Sequence, residues 1–425
     1  MHNLLKTHAL FSLLFHHRLV WVVTFFMVIV TLISPSLHVF AQNPQIPRVA
    51  TGYSWHFPKD HGLHPNYSTE WWYTTGHLWI RPPKGTSTKE PRRQFGYELT
   101  FFKSHPNHTS WFQSLLQNTP WYVSPVYTAH FAVSTLPSNH RHTHASQGGF
   151  QFFEQVSRAG TQEAGASQTT LQLWHRAWTL SQKTPTLWHL STGDPQHAPL
   201  PVLNLSLQLQ QPPTLQGDAS GYSQKTQCQG CGSLYYSIPH ITTTGTLTLL
   251  EQGKRVTYPV EGLSWFDHEI MQQYQYPTLK GWDWFAIQVP ATPHHQRFSL
   301  MLYQLRKAPS PSSPSSIEPY SQAALILSDG TKRVGRIGKD VFLTPKTYWH
   351  SPKSGGVYPI EWQIQWPQEK LFLNVKAHLM NQEIVTHLIQ TPVYWEGACQ
   401  VLGTRNHTPI KGHAYLEMTG YAAQR

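Results

Sequence analysis

Two carboxylic acids in this sequence stand directly beside aromatic residues. Glu70 is followed by Trp71 and Trp72, and Asp267 comes two residues after Trp265. An acid that aromatic walls shield from water has a raised pKa and can hold its proton near neutral pH. These residues therefore indicate a proton donor for general acid catalysis. The alternative is structural, with each buried acid tying strands or loops together through backbone or arginine partners.

The residues after Asp267 extend the set of ionisable side chains. Asp267, His268 and Glu269 are consecutive, and alternation along a β-strand would put Asp267 and Glu269 on one face and His268 on the other. Glu396 and Glu417 repeat the combination of acids with nearby aromatic residues late in the chain. We expect any acid site to draw on these positions.

Histidines near the same acids raise the alternative of a metal site, because imidazole and carboxylate groups are good metal ligands. One conceivable ligand set combines four such residues, His61, His64, His268 and Glu269. No H-E-x-x-H motif occurs, since Gln272 stands where the second histidine would be needed. Cys228 and Cys231 predict a local loop disulfide or a pair of free thiols, since no second C-x-x-C completes a zinc site. The sequence therefore predicts no metal and no cofactor.

The elements that position these residues are predicted to be β-strands. Segments 203–210 (LNLSLQLQ) and 245–251 (GTLTLLE) alternate apolar and polar residues, which marks half-buried strands. Similar runs recur along the chain between clusters of Gly, Pro, Asn and Ser, a pattern typical of a sandwich or barrel. We predict an all-β protein.

The composition agrees with that fold class. Of 425 residues, 13% are aromatic, including 17 Trp, and only 12% are charged. A disordered chain would be poor in aromatic residues, and a helical array would be rich in Ala, Glu, Lys and Leu. The formal net charge is +11, but the basic residues are scattered, which argues against nucleic-acid binding. Weak peripheral contact with an anionic membrane is compatible with that charge.

The N-terminus has the layout of a secretory signal peptide. Lys6 and Arg18 precede an apolar run at 19–33, and a small-x-small site ends at Ala41. We predict a signal peptide over 1–41 and a periplasmic or secreted protein. An uncleaved membrane anchor is the alternative.

Several longer motifs follow one another in a distinctive order. They are FPKDHGLHPNYSTEWWYTTGHL at 57–78, GYSQK at 221–225, SLYYS at 233–237, GLSWFDHE at 262–269, GWDWF at 281–285, YWEG at 394–397 and YLEMTGY at 415–421. Together they closely resemble a lipocalin-like family that includes AttH-type secreted proteins and carotenoid 1,2-hydratases. The resemblance covers nearly all of residues 51–422. It implies two tandem calycin-type β-barrels, which we place at 42–240 and 241–425.

The resemblance also implies a chemistry for the acids. Hydration of an isoprenoid double bond needs a positioned acid, aromatic faces that stabilise the carbocation, and a base for the added water. Asp267 matches the acid of the hydratase segment Gly-Tyr-x-Asp, although Trp265 stands at the Tyr position. The His-x-Trp pair of the hydratases is replaced by Tyr235, Tyr236 and Ser237. These differences place the chain nearer the AttH-like branch.

Two functions follow from the resemblance. The first is a secreted enzyme that hydrates or hydrolyses a lipid or isoprenoid, with Asp267 as acid and with Glu70 and His268 as further catalytic residues. The second is a non-catalytic carrier of a hydrophobic ligand, which could serve an envelope transport system. We expect Asp267 to face an apolar cavity, with Glu70 or His268 within hydrogen-bonding reach. The aromatic residues expected to contact the ligand are Trp71, Trp72, Tyr73, Tyr235, Trp265, Trp282, Trp284 and Trp395.

Overall fold

The computed structural model describes residues 49–82, 92–105, 125–137, 149–158, 162–228, 230–272, 278–308, 317–386 and 393–422. The predicted signal peptide and its cleavage site after Ala41 lie outside these residues. The described residues belong to one compact unit, Arg48–Arg425. Their helical content is two short 3-10 helices, Lys59–His61 and Pro367–Glu369. Within the described ranges, neither helix has the length and apolar character that crossing a membrane requires.

Thirteen of the described strands form a first sheet that curls into a nearly closed barrel. Their bounds are β1 Thr69–Ile80, β2 Gln94–Ser104, β3 Val126–Leu136, β4 Gly149–Arg158, β5 Ala164–Ala166, β6 Gln172–His175, β7 Trp178–Thr184, β8 Leu187–Ser191, β9 Val202–Leu209, β10 Thr214–Leu215, β11 Tyr222–Gln224, β12 Gly232–Glu251 and β13 Lys254–Met271. The order across the sheet is β4-β3-β2-β1-β13-β12-β9-β8-β7-β6-β5, and both β10 and β11 pair with β12.

Ten described strands form a second sheet with the shape of a half-barrel. Their bounds are β14 Leu279–Val289, β15 Phe298–Lys307, β16 Gln322–Leu327, β17 Lys332–Arg336, β18 Phe342–His350, β19 Val357–Trp366, β20 Leu371–Ala377, β21 Glu383–Ile384, β22 Tyr394–Arg405 and β23 Thr408–Thr419. The order is β17-β16-β15-β14-β23-β22-β20-β19-β18, with β21 paired to β22.

The strand pair β1–β13 has both of its faces buried. The two strands pair antiparallel from Thr69 opposite Met271 to Ile80 opposite Val260. Trp72 and Phe266 point into the core of the first sheet, whereas their neighbours Tyr73 and Trp265 belong to a separate core shared with the second sheet. Because side chains alternate along a strand, one pair of strands serves two different environments. Burial on both faces explains why these strands carry so many aromatic residues.

The described part of the chain confirms the predicted all-β class. The first sheet, however, continues beyond the boundary expected at residue 240. That residue lies within β12, and β13 also belongs to the first sheet. The chain changes sheets between Met271 and Leu279. The physical reason is that β13 supplies the hydrogen-bonding partner that β1 needs on the side opposite β2. The first sheet is therefore completed by strands that follow the expected boundary.

Candidate functional site

A layer of aromatic and aliphatic residues lies where the two sheets meet, and we call it the seam. Its buried members come from strands of both sheets: Tyr73, Tyr235, Trp265, Trp284, Ala286, Met301, Tyr303, Leu305, Ala324 and Ile326. Trp71 and Trp282 pack against this cluster and are only partly buried. Trp284 meets Tyr73 and Trp265 edge-on, with ring centroids 5.1 and 6.2 Å away. The seam is thus an aromatic environment whose edge reaches the protein surface.

Asp267 projects into the seam from β13 and is 3% exposed. Its Oδ2 accepts a hydrogen bond from the Tyr235 hydroxyl at 2.6 Å, and its Oδ1 accepts one from the Trp265 indole N–H at 2.7 Å. Burial raises the pKa of Asp267 to about 7, although hydrogen bonds from Ser237, Tyr235 and Trp265 lower it. The carboxyl group therefore has neutral donors around it and a proton affinity suited to an acid catalyst.

The partners of Asp267 are themselves held in place. The Trp284 indole N–H donates to the Tyr235 hydroxyl oxygen at 3.0 Å, which leaves the Tyr235 proton directed at Asp267. Along the same face of β13, Glu269 forms an ion pair with Lys225 at 2.7 Å. Lys225 also lies 4.5 Å from the centre of the Tyr303 ring. The charge of Glu269 is therefore compensated locally, whereas the direct hydrogen-bond donors of Asp267 are the neutral side chains of Tyr235, Trp265 and Ser237.

Three glutamates in the same region, Glu98, Glu396 and Glu417, hold protons more tightly than free carboxyl groups, and burial raises the pKa of Glu98. Glu396 and Glu417 are directly opposite each other on β22 and β23. Burial, followed by the charges of Glu98 and Glu417, raises the pKa of Glu396 well above its usual range. Burial likewise raises the pKa of Glu417 to about 8, against the hydrogen bond from the Trp282 indole at 3.0 Å. The Tyr73 hydroxyl donates to Glu396. These acids form a second proton-holding group beside Asp267.

A separate polar cluster lies on the opposite face of β1 and β13. Oε1 of Glu70 is 2.7 Å from Nδ1 of His64 and 2.8 Å from Nε2 of His268. Nδ1 of His268 is 3.2 Å from the Tyr236 hydroxyl, which also lies 2.7 Å from Nδ1 of His61. We call His64, Glu70 and His268 the histidine–glutamate cluster. Its members are joined directly, and the Tyr236 hydroxyl links them to His61.

Electrostatics in the histidine–glutamate cluster favour one ion pair. Burial raises the pKa of Glu70, but hydrogen bonds from His268 and His64 outweigh it and lower the pKa to about 2. Burial lowers the pKa of His64, but its contacts with Asp60 and Glu70 outweigh that effect and raise the pKa to about 9. Burial lowers the pKa of His61 to about 3. Glu70 is thus a carboxylate hydrogen-bonded to both His268 and His64, and His64 is the histidine whose pKa is raised.

The structure brings together two of the three predicted catalytic residues. Glu70 and His268 are hydrogen-bonded, whereas Asp267 points to the other face of β13 and bonds to Tyr235, Trp265 and Ser237. The expected contact of Asp267 with Glu70 or His268 is therefore wrong. Adjacent residues on a strand face opposite sides, so Asp267 and His268 cannot share one site.

The alternative ligand set of His61, His64, His268 and Glu269 does not come together, for the same reason. Glu269 faces the seam and pairs with Lys225, so it cannot join His64 and His268. Glu70, on the neighbouring strand, takes that place. His61 remains close to the histidine–glutamate cluster but directs its Nδ1 at the Tyr236 hydroxyl.

Six of the eight aromatic residues predicted to contact a ligand lie in or against the seam. They are Trp71, Tyr73, Tyr235, Trp265, Trp282 and Trp284. The other two, Trp72 and Trp395, point into the core of their own sheet, because side chains alternate along a strand. Trp72 stacks on His268 in the first sheet, with ring centroids 4.8 Å apart. Trp395 lies in the core of the second sheet and donates its indole N–H to the Met380 carbonyl.

Asp267, which was expected to face an apolar cavity, is in direct contact with Tyr235 and Trp265. Two surface clefts of the described chain lie elsewhere: one contains Pro212, Pro213 and Lys332, and the other Trp174 and His189. Entry of a ligand into the seam would therefore require aromatic side chains at its partly buried edge to move.

Several residues that act on the acids of the seam or on the histidine–glutamate cluster were not predicted from the sequence. The charge of Glu98 raises the pKa of Glu396. Glu98 is a single acid within the apolar run of β2, and this unusual position could have identified it from the sequence. Asp60 and Tyr236 belong to the motifs at 57–78 and 233–237, but sequence gave no indication of their partners. Lys225 stands next to β11 and approaches Glu269 only through folding.

Comparisons with known proteins agree with this architecture. A family model described as AttH-like matches residues 48–421. The solved structure of a candidate AttH protein from Nitrosomonas europaea is 26% identical, with a TM-score of 0.68, and the match covers 89% of this chain and 100% of that one. Kievitone hydratase from Nectria haematococca is 14% identical, with a TM-score of 0.57, covering 89% and 94% respectively. A comparison with curated proteins finds no match. The predicted all-β, lipocalin-like fold is confirmed, with a nearly closed barrel and a half-barrel where two tandem barrels were expected.

Proposed function

Because the chain belongs to the AttH-like family, we propose that it adds water to a double bond of an apolar lipid or isoprenoid, with Asp267 as the acid. The observation that carries the proposal is the setting of Asp267, a buried carboxyl group held by neutral donors among the aromatic rings of the seam. The similarity to kievitone hydratase from Nectria haematococca supports the proposal, because that protein is a hydratase with a similar fold.

In the proposed reaction Asp267 acts first as an acid and then as a base. Its O–H donates a proton to one alkene carbon, and the π electrons form the new C–H bond, leaving a carbocation on the other carbon. The Asp267 carboxylate is then stabilised by the Tyr235 hydroxyl and the Trp265 indole. The ring faces of the seam stabilise the cation. Water adds to the cation, and the proton that it loses restores the Asp267 carboxyl group.

The edge of the seam supports an entry route for an apolar substrate. Trp71 and Trp282 are partly buried, whereas Trp265 is 1% exposed. An apolar chain that displaces the two outer rings would reach Trp265 and Tyr235, the hydrogen-bond donors of Asp267. An apolar lining with a few convergent polar groups is typical of a small-molecule site.

Isotope incorporation tests the proposed reaction. Native mass spectrometry of the protein purified from its own envelope would identify the class of retained ligand. That ligand class is then incubated with the protein in ¹⁸O-labelled water. We expect a product heavier by one labelled water per hydrated double bond. A ligand that binds to the protein and dissociates from it, but is never labelled, would contradict the enzyme proposal and support the carrier alternative.

We also propose that the protein is exported and cleaved after Ala41, on the basis of the basic start and apolar run of the N-terminus. The expected mature chain begins at Gln42, and N-terminal sequencing of envelope-derived protein checks this. Recovery of a chain that still begins at Met1 would contradict cleavage and favour the anchor.

A further inference from the structure

We propose that His64, Glu70 and His268 bind one zinc ion. One ligand atom of each of these side chains lies within 4.8 Å of the other two, and Oε1 of Glu70 contacts Nδ1 of His64 and Nε2 of His268. The three side chains come from three separate segments: the stretch before β1, β1 itself and β13. The site is distinct from the seam because it occupies the other face of β1 and β13, so it does not depend on the proposed reaction.

The donor set suits zinc. Two imidazole nitrogens and one carboxylate oxygen form a zinc-binding combination with a fourth position left for water. Zinc bonds to such atoms at about 2.0–2.2 Å, so tetrahedral ligand atoms lie about 3.3 Å apart. Oε1 of Glu70 is now 2.7 and 2.8 Å from the two nitrogens. A widening of roughly half an ångström around Oε1, with the two imidazole nitrogens brought to the same spacing, would convert the hydrogen-bonded group into a coordination shell.

The atoms around the three ligands provide the outer contacts that a metal site needs. Oδ1 of Asp60 lies 3.5 Å from Nε2 of His64, and the Tyr236 hydroxyl lies 3.2 Å from Nδ1 of His268. The backbone N–H of His64 donates to Oε2 of Glu70 at 2.9 Å. Each imidazole thus has its outer nitrogen facing an oxygen and its inner nitrogen facing the common centre. Such outer partners fix the orientation of metal-binding histidines.

The histidine–glutamate cluster lies close enough to the surface for an ion to enter, and a bound ion there would stabilise the fold. The His64 side chain is 11% exposed, whereas those of Glu70 and His268 are fully buried. The site therefore lies one side chain beneath the surface. A bound ion would join the segment that carries His64 to the two strands below it. Because metal affinity for a folded site adds to folding stability, zinc should raise the melting temperature.

Zinc titration of the full chain tests this proposal. The protein is purified without a polyhistidine tag, stripped with a chelator, and titrated in competition with a zinc-sensitive dye. We expect one tight site per chain and a rise in melting temperature. His64→Gln should reduce the affinity by more than the roughly 10–100-fold typical of an outer-shell change, and Asp60→Asn by about that amount.

His130→Gln is the matched control, because the chain has 27 histidines that could bind zinc weakly. His130 is buried on β3, with its nitrogens 2.6 Å from the Tyr394 hydroxyl and 3.3 Å from Glu154. This variant should keep the wild-type zinc affinity. Equal binding by wild type and His64→Gln would indicate an adventitious ion only and would overturn the proposal. The absorption of cobalt bound to the wild-type chain provides a second measurement, and an octahedral spectrum would also contradict the site.

Discussion

Replacing Asp267 by asparagine is expected to reduce water addition by about 10²–10⁴-fold, the usual contribution of a positioned acid. Asparagine has nearly the same shape, and its carbonyl oxygen can still accept from Trp265 or Tyr235. It has no acidic proton to give to an alkene. Product formation from the ligand identified by mass spectrometry measures the rate, and circular dichroism with thermal melting measures the fold. We expect the variant to remain folded.

Asp283→Asn provides the matched control for that variant. Asp283 is also fully buried, but it faces the core of the second sheet, where its carboxylate lies 3.2 Å from Nε of Arg306 and accepts from the Tyr421 hydroxyl at 2.8 Å. Its loss leaves a largely buried cation without its partner, which costs about 3–5 kcal/mol. This variant should melt earlier yet turn over normally below its melting point. Full activity of Asp267→Asn would refute its role as acid.

Replacing Glu396 by glutamine is expected to make the protein more stable than wild type at alkaline pH. Glu396 has a pKa raised well above the usual value of 4.5, and Glu417 has one raised to about 8. At a pH between 4.5 and these raised pKa values, the folded chain binds more protons than the unfolded chain. The free energy of unfolding therefore falls as the pH rises through that interval. Each extra bound proton contributes about 1.4 kcal/mol per pH unit.

The groups around Glu396 determine the expected pH dependence of the melting temperature. Glu98 and Glu417 are the acids whose charges act on it, and the Tyr73 hydroxyl is its hydrogen-bond donor. A neutral amide removes one of the acids that must ionise, so the decline in melting temperature between pH 6 and 9.5 should become shallower. Glu163→Gln is the control, because Glu163 lies at the surface with Arg176. A wild-type melting temperature that rises over this range would contradict the prediction.

The sequence predicted which residues share a strand face better than which residues meet in space. Alternation correctly separated Asp267 from His268, since one enters the seam and the other the first core. The register of β1 against β13 lies beyond any local pattern, because Glu70 and His268 are 198 residues apart. The expected contact of Asp267 with Glu70 failed for this reason, whereas the contact with His268 failed because consecutive residues of a strand face opposite sides.

The aromatic predictions show the same division. Trp71 and Tyr73 reach the seam, whereas Trp72 between them enters the first core, as alternation requires. The sequence pattern marks both faces as apolar and so cannot tell which face meets the second sheet. That distinction depends on β14 packing against β1 and β13, visible in the contact of Trp284 with Tyr73 and Trp265.

The pairing of β1 with β13 also governs how the chain acquires its fold during synthesis. The hairpin of β12 and β13 is local, whereas β1 must wait for a partner that is made about 200 residues later. Closing so long a segment is entropically unfavourable, and folding that relies on non-local pairing is slow. Until then one edge of β1 has no strand beside it, and such edges promote association between chains. Slow synthesis between these strands would lengthen that exposure, so a chaperone that covers β1 would raise the yield of folded protein.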